Sequence, residues 1–395
     1  MSPAVSTSKT EPAYQVLSFQ PHQEAQARKY ITRKSHRKSR GGCLGCKLSR
    51  IKSKSPARGV SRVSLLHHIN QHFHASAGLE TAGGQVALLV SLGMSRPYLL
   101  DVTLAVAACH LRHMYQANGG LNAATTDTVY ACRVAEHYQQ SLAIRSFKQA
   151  LGEPFDQEGS DSVLISSMMF NLLSFTLDDN DDPALSWVFT TAPDRLSWFS
   201  MSMGLAPLLI NTKQFHEHSI LRHIFNASDD EQHTFHGNDT KPLSKVPSHW
   251  LRLCGLDYGS DDPDHIFYEP VRILAELFST PVNQESFFLY MGFFGKVGAQ
   301  FRSLLEHDSE PAMWLLGYWL GLLCRFDQIW WLSARARRDY RAICIWLDKR
   351  KVRRGPGAEG LMWRQLMVEL EGATQQPPEP GTKDLHKPEF IEICD

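Results

Sequence analysis

Nowhere in the 395 residues does an uninterrupted apolar run approach the roughly 20 residues needed to cross a bilayer. The longest, Ala312 to Cys324, stops at Arg325 and Asp327 and reads as a buried helix. Met1 to Gln26 is rich in Ser, Thr, Pro and Gln and has no apolar stretch to act as a secretory signal, so the chain is expected inside the cell and off the membrane. Close-spaced cysteines are nearly absent. Of eight, only Cys43 and Cys46 are neighbours, which excludes a disulfide framework and leaves the other six as core residues or free thiols. Strand-like alternation is scarce, and no fixed-period repeat suggests a solenoid. Gly-x-Ser-x-Gly, the P-loop, the dinucleotide fingerprint and His-Glu-x-x-His are all missing, so an enzyme is not expected.

One absence is local. Arg28 to Arg62 holds thirteen Lys and Arg and no Asp or Glu, in a chain whose 41 basic and 41 acidic residues balance. Residues 65 to 395 contain 27 basic and 39 acidic residues, so the body carries about twelve negative charges. A cation-dense arm releases counterions when it neutralises phosphates, whereas an acidic body repels DNA. Short basic runs also serve nuclear import. Four parts follow: a disordered tail at 1–27, a basic and partly disordered arm with linker at 28–62, a helical domain at 63–373, and a Pro-rich disordered tail at 374–395.

With 43% hydrophobic residues the body can bury a large core, and its periodicity is helical. Leu65, Leu66, Ile69 and Phe73 share one face. Residues 97 to 116, opened by Pro97, are apolar nearly all round and should be central. Further helices are expected at about 126–151, with a stripe of Ala131, Ala135, Tyr138 and Leu142, and at 162–176, 194–210, 213–225, 265–279, 285–305, 312–333, 335–350 and 359–371. Breakers such as Gly119-Gly120 and Asp181-Asp182-Pro183 separate them. The fold class is all-α.

Cys43-x2-Cys46 supplies two thiolates, half of a tetrahedral zinc shell. Arg33 to Lys52, with this pair between cations, resembles the start of the fungal two-zinc, six-cysteine transcription factors. Tyr98 to Leu111, Tyr138 to Leu151, Asp194-Arg195-Leu196-Ser197-Trp198 through Leu209, and Trp314 to Leu347 are similar to later segments of its sterol-uptake-regulator branch. The resemblance implies zinc on Cys43 and Cys46, but Ser53 stands at the third-ligand position and the second cysteine trio is missing, so the site is incomplete. It implies base contact from Arg50, and phosphate contacts fit Arg37, Lys38, Arg40, Lys47 and Lys52. It further implies a nuclear regulator of secondary-metabolite or sterol genes, whose helical domain encloses a hydrophobic ligand and supports homodimers. A co-regulator that has lost DNA reading is the alternative. The change of character from Lys52 to the Ser53–Arg62 segment is also what a missing coding segment would leave.

Three weaker constellations remain. His68 and His72 would complete a Cys2His2 set, but across a spacer far longer than that of an ordinary finger. Met168, Met169, Trp198, Met201, Met203, Trp314, Trp319 and Trp330 are the residue types of an adaptable apolar pocket, and more often of a plain core. Asp178-Asp179-Asn180-Asp181-Asp182, with Asp261, Asp262 and Glu269, imitates the magnesium motifs of terpene cyclases. Pro183 and Pro263 break the helices that would aim those carboxylates.

Overall fold

The computed structural model describes residues 60–77, 85–118, 123–176, 181–222, 243, 246–257, 259, 262–283, 286–350 and 355–375. The chain divides into two units, Met1–Pro56 and Ala57–Asp395, and every described residue belongs to the second. The described part is all-α, as the pattern predicts: α1 Arg62–Ala77, α2 Gln85–Ser95, α3 Pro97–Asn118, α4 Ala123–Ala150, α5 Gln157–Phe175, α6 Ser197–Met203, α7 Leu205–Thr212, α8 Ser248–Cys254, α9 Tyr268–Ser279, α10 Phe287–Met291, α11 Phe293–Lys296, α12 Ala299–Glu306, α13 Glu310–Leu323, α14 Trp330–Lys349 and α15 Gly357–Gly372. Short 3-10 turns occupy Pro183–Leu185, Trp187–Phe189 and Lys213–His218. No described helix is long and apolar enough to cross a membrane.

The centre is α13, buried on every side from Ala312 to Leu323. Two glycines one turn apart let its neighbours approach. A Cβ on Gly317 would lie 2.8 Å from Ile343 Cγ2, and one on Gly321 would lie 2.7 Å from Ala373 Cβ and 3.2 Å from the Tyr340 ring. These contacts run antiparallel, so α14 folds back along α13 while α15 closes the other flank. Tryptophan polar atoms are satisfied across the same packing. Trp314 Nε1 donates to Leu366 O at 2.9 Å, and Trp319 Nε1 donates to Tyr290 O at 2.8 Å.

The helix expected at 312–333 is two helices. After Leu323 the backbone tightens into i→i+3 bonds, with Arg325 N donating to Leu322 O and Phe326 N to Leu323 O. Arg325 Nε then donates to Ala373 O at 2.8 Å. The turn returns Phe326 to the core beside Phe287 and Tyr290, so tertiary burial outweighs helix continuity. The expected 194–210 helix divides at Gly204, and the 285–305 helix divides at Gly292 and again at Val297–Gly298. In the segment expected at 213–225, Lys213–His218 is a 3-10 turn, and residues 223–225 lie outside the described residues.

Local chemistry sets several other boundaries. Asp156 caps α5 by accepting from Gly159 N at 2.6 Å, and Arg96 donates to the same carboxylate at 2.7 and 2.8 Å. The Gly159 N–H, then Arg96, hold that carboxyl below the usual Asp range. Gly159 has no side chain to obstruct the cap, since a Cβ there would stand 2.7 Å from Asp156 Oδ1. At the other end of α5, Arg335 from α14 donates to Ser174 O and Phe175 O, both at 3.1 Å. A cation satisfies the orphan carbonyls where the helix dipole is negative.

Candidate functional site

The sequence candidates for DNA and zinc, Arg37, Lys38, Arg40, Cys43, Cys46, Lys47, Arg50 and Lys52, lie outside the described residues. Among the described residues no group of three or more His, Cys, Asp or Glu is placed to hold a metal ion. His68 and His72 are engaged elsewhere. His68 is buried on α1, and its Nε2 lies 3.0 Å from His110 Nδ1 on α3. The His72 ring centroid is 4.9 Å from that of His68, and Trp330 lies 5.1 Å from both His110 and His113. Burial, then neighbouring histidines, pushes His68 and His110 down to about 4, and burial followed by Arg112 lowers His113. One imidazole of the 3.0 Å pair donates and the other accepts, which requires at least one of them neutral. His68 is therefore a core hydrogen-bonding residue, and the two-histidine completion of the zinc shell is not supported.

Between α1, α3 and α4 an apolar cluster of Leu65, Ile69, Leu104, Ala107 and Ala108 is accompanied by buried polar groups. Arg112 Nε donates to Glu136 Oε2 at 2.9 Å with both side chains almost wholly buried. Arg62 reaches Asp101 at 2.8 Å and Gln139 at 3.1 Å. Burial raises the Cys109 thiol well above its usual range, and burial raises Cys132 to about 11, so neither is a ready nucleophile. Five of the six cysteines read as core or free thiols are free, Cys109, Cys132, Cys254, Cys324 and Cys344, while Cys394 is outside the described residues.

These pairings correct the stripe expected on α4. The buried residues are Cys132, Glu136, Gln139 and Ala143, whereas Tyr138 is 60% exposed. Arg112 draws Glu136 inward, because a buried guanidinium needs an acceptor more than α4 needs apolar contact, and the more exposed Arg62 reaches Gln139 from the edge.

The Met and Trp set is spread over several contacts, of which Trp198 and Trp319 share Phe175 and Phe294. Trp314 and Trp319 are fully buried in different contacts, Trp314 against Trp250 and Tyr318 and Trp319 against Phe293 and Phe294. Trp198 packs on Phe175, Phe199 and Phe294, with the Arg335 guanidinium 5.1 Å from its ring. Met201 is exposed on α6. In the acidic motifs, Asp182 accepts from Ala184 N to cap the turn at Pro183, and Asp262 accepts from Asp264 N. Both sit in capping turns and not on helix faces; Asp178 to Asn180 and Asp261 are outside the described residues.

Sequence reasoning missed one hub. Asp339, fully buried on α14, accepts from Ser186 Oγ at 2.8 Å, Arg338 Nε at 2.9 Å and Arg335 Nη1 at 3.3 Å. The signal available in sequence was a lone Asp among arginines at 335–341, which reads locally as a solvated face.

An all-helical unit with a central hydrophobic hairpin and a capping layer of α1 to α5 is the class of domain this fold defines. Residues 65–190, from α1 to just past the second 3-10 turn, match the fungal specific transcription factor domain. A Zn(2)-C6 fungal-type transcription factor from Gibberella zeae is 24% identical over 291 residues, covering 69% of this chain and 52% of that protein. The chain thus spans about half the length of this relative. These matches bear out the resemblance to the fungal two-zinc, six-cysteine transcription factors.

Proposed function

We propose that the protein regulates transcription in the nucleus, reaching promoter DNA through the basic segment 28–62 and acting through the helical unit. The observation that carries this reading is the presence, in one chain, of a match to the fungal transcription factor domain at 65–190 and a basic segment without acidic residues directly before it. Arg37, Lys38, Arg40, Lys47 and Lys52 contact phosphates, and Arg50 reaches a base edge. Cys43 and Cys46 hold zinc incompletely, so binding is weakly sequence-selective. Secondary-metabolite or sterol genes are the targets this family reading favours, and a hydrophobic small molecule is its ligand class.

The test is fluorescence anisotropy of the full chain on duplex DNA at two salt concentrations, with zinc counted by mass spectrometry. Contact with about six to ten phosphates lowers affinity roughly a thousandfold or more between about 50 and 200 mM salt. Arg50→Ala narrows the gap between preferred and random sequence, whereas Lys47→Ala weakens both equally. Salt-insensitive or absent binding overturns the reading. Absent binding would favour the second reading, a co-regulator that works through a partner, which Ser53 at the third-ligand position supports.

A further inference from the structure

Helix α4 exposes large apolar and aromatic side chains on its outer face, while polar groups are buried beside Cys132 and Ala143 on its inner face. Its inward face carries Glu136 and Gln139, and its outward face carries Tyr130, Val134 and Tyr138, exposed by 66%, 51% and 60%. Successive steps of four residues place these three along one ridge, with Ala131 and Leu142 half-buried at its side. Among the described residues nothing covers it. Helix α4 lies along α3 and meets α5 through the edge contact of Phe147 with Phe170.

The ends of the ridge carry opposite charges. Asp127 stands near its beginning and Arg145 near its end, both exposed, and among the described residues neither forms an ion pair. Asp127 and Arg145 are equally far from position 136, and so are Val134 and Tyr138, and Tyr130 and Leu142. A ridge with that symmetry is complementary to itself reversed. In an antiparallel pair about a two-fold axis beside residue 136, Val134 meets the partner's Tyr138 at the centre. Asp127 meets the partner's Arg145 at each end, the same two contacts made twice as an isologous interface requires.

We propose that the outer face of α4 is a homodimer interface, with a second copy of this chain as its occupant and Asp127 to Arg145 setting the antiparallel register. From 127 to 145 the helix runs roughly 27 Å. A single helix pair of that length belongs to the small end of specific interfaces, so the dimer is reversible and concentration-dependent. The inference concerns this face alone and does not rest on DNA binding by the arm.

Sedimentation velocity of the full chain without DNA, over a range of concentrations, tests it, with circular dichroism confirming that each variant keeps its helices. Val134→Asp is expected to raise the dimer dissociation constant about tenfold or more. Asp127→Arg also weakens the dimer, by about tenfold, because it sets arginine against arginine at both ends. Adding Arg145→Asp to that variant restores the contacts in reversed order and brings the constant back to within about threefold of the original. A chain that is monomeric at every concentration overturns the proposal, as it would if a segment of the same chain covered the ridge. So does a dimer indifferent to Val134→Asp, or a double variant no better than the single one.

Discussion

The layer around α13 and the layer of α1, α3 and α4 both bury apolar side chains, and differ in how much charge is buried with them. Around α13 the inward groups are carbon, with each indole N–H of Trp314 and Trp319 given one carbonyl. Between α1, α3 and α4 the inward groups include Arg112, Glu136, His68, His110 and Asp101. Apolar burial is non-directional and scales with area, so it supplies stability. A buried ion pair recovers little beyond its desolvation cost and is lost entirely when one partner goes, so it fixes register more than it stabilises. Apart from the first turn of α1, the second layer lies within the segment that matches the fungal domain, and there the arrangement of α4 decides which face is left outside.

The contrast can be broken most sharply at its two centres. Trp319→Ala should cost about 3–5 kcal/mol, because the cavity would open among Phe293, Phe294 and Tyr290 where nothing can collapse to fill it. Chemical denaturation with unchanged m-value would register this as a pure loss of stability. Arg112→Ala should cost a similar amount, about 3–5 kcal/mol, by leaving Glu136 buried and unpaired, while Arg112→Met with Glu136→Leu should come back close to the original stability. If the double variant stays as unstable as the single one, the polar layer contributes stability in its own right and the contrast fails.

A pH titration separates the layers next. His68 and His110 are held at about 4 in the folded protein against an ordinary value near 6.5. Between those values the unfolded chain binds more protons than the folded one. Stability is therefore full above about pH 6.5 and falls as pH drops toward about 4, by a few kcal/mol, then levels off with respect to these two groups. His110→Gln should flatten that slope in thermal melts, whereas Trp319 variants should leave its shape alone. The smallest effect is expected at Gly317→Ala. Its helix-propensity gain of about 1 kcal/mol is offset by collision with Ile343, for a net loss of about 1–2 kcal/mol in the same melts.

Several features were legible before the structure. Residues 97–116 read as a central helix, and α3 is Pro97–Asn118. The apolar run at 312–324 read as buried, and α13 is. Both depend on local periodicity, and so do the capping turns at Asp182 and Asp262. The face of α4 was misread because Ala131, Ala135, Tyr138 and Leu142 satisfy a helical stripe as well as Cys132, Glu136, Gln139 and Ala143 do. The polar choice prevails through Arg112, 24 residues away from Glu136. The Met and Trp set was legible as apolar but not as dispersed, since residue type carries no information on which aromatic meets which.

By itself the sequence determined an all-helical unit, the positions of its main breakers, and the separation of a cationic segment at 28–62 from an acidic body, because each of these follows from neighbours within a few residues. Only the tertiary structure decided that α13 and α14 part at 324–329, that His68 pairs with His110 across 42 residues, and that α4 turns its tyrosines outward. Those outcomes depend on the cost of leaving a charge or a ring unpartnered in the interior, and that cost is defined only once distant segments meet.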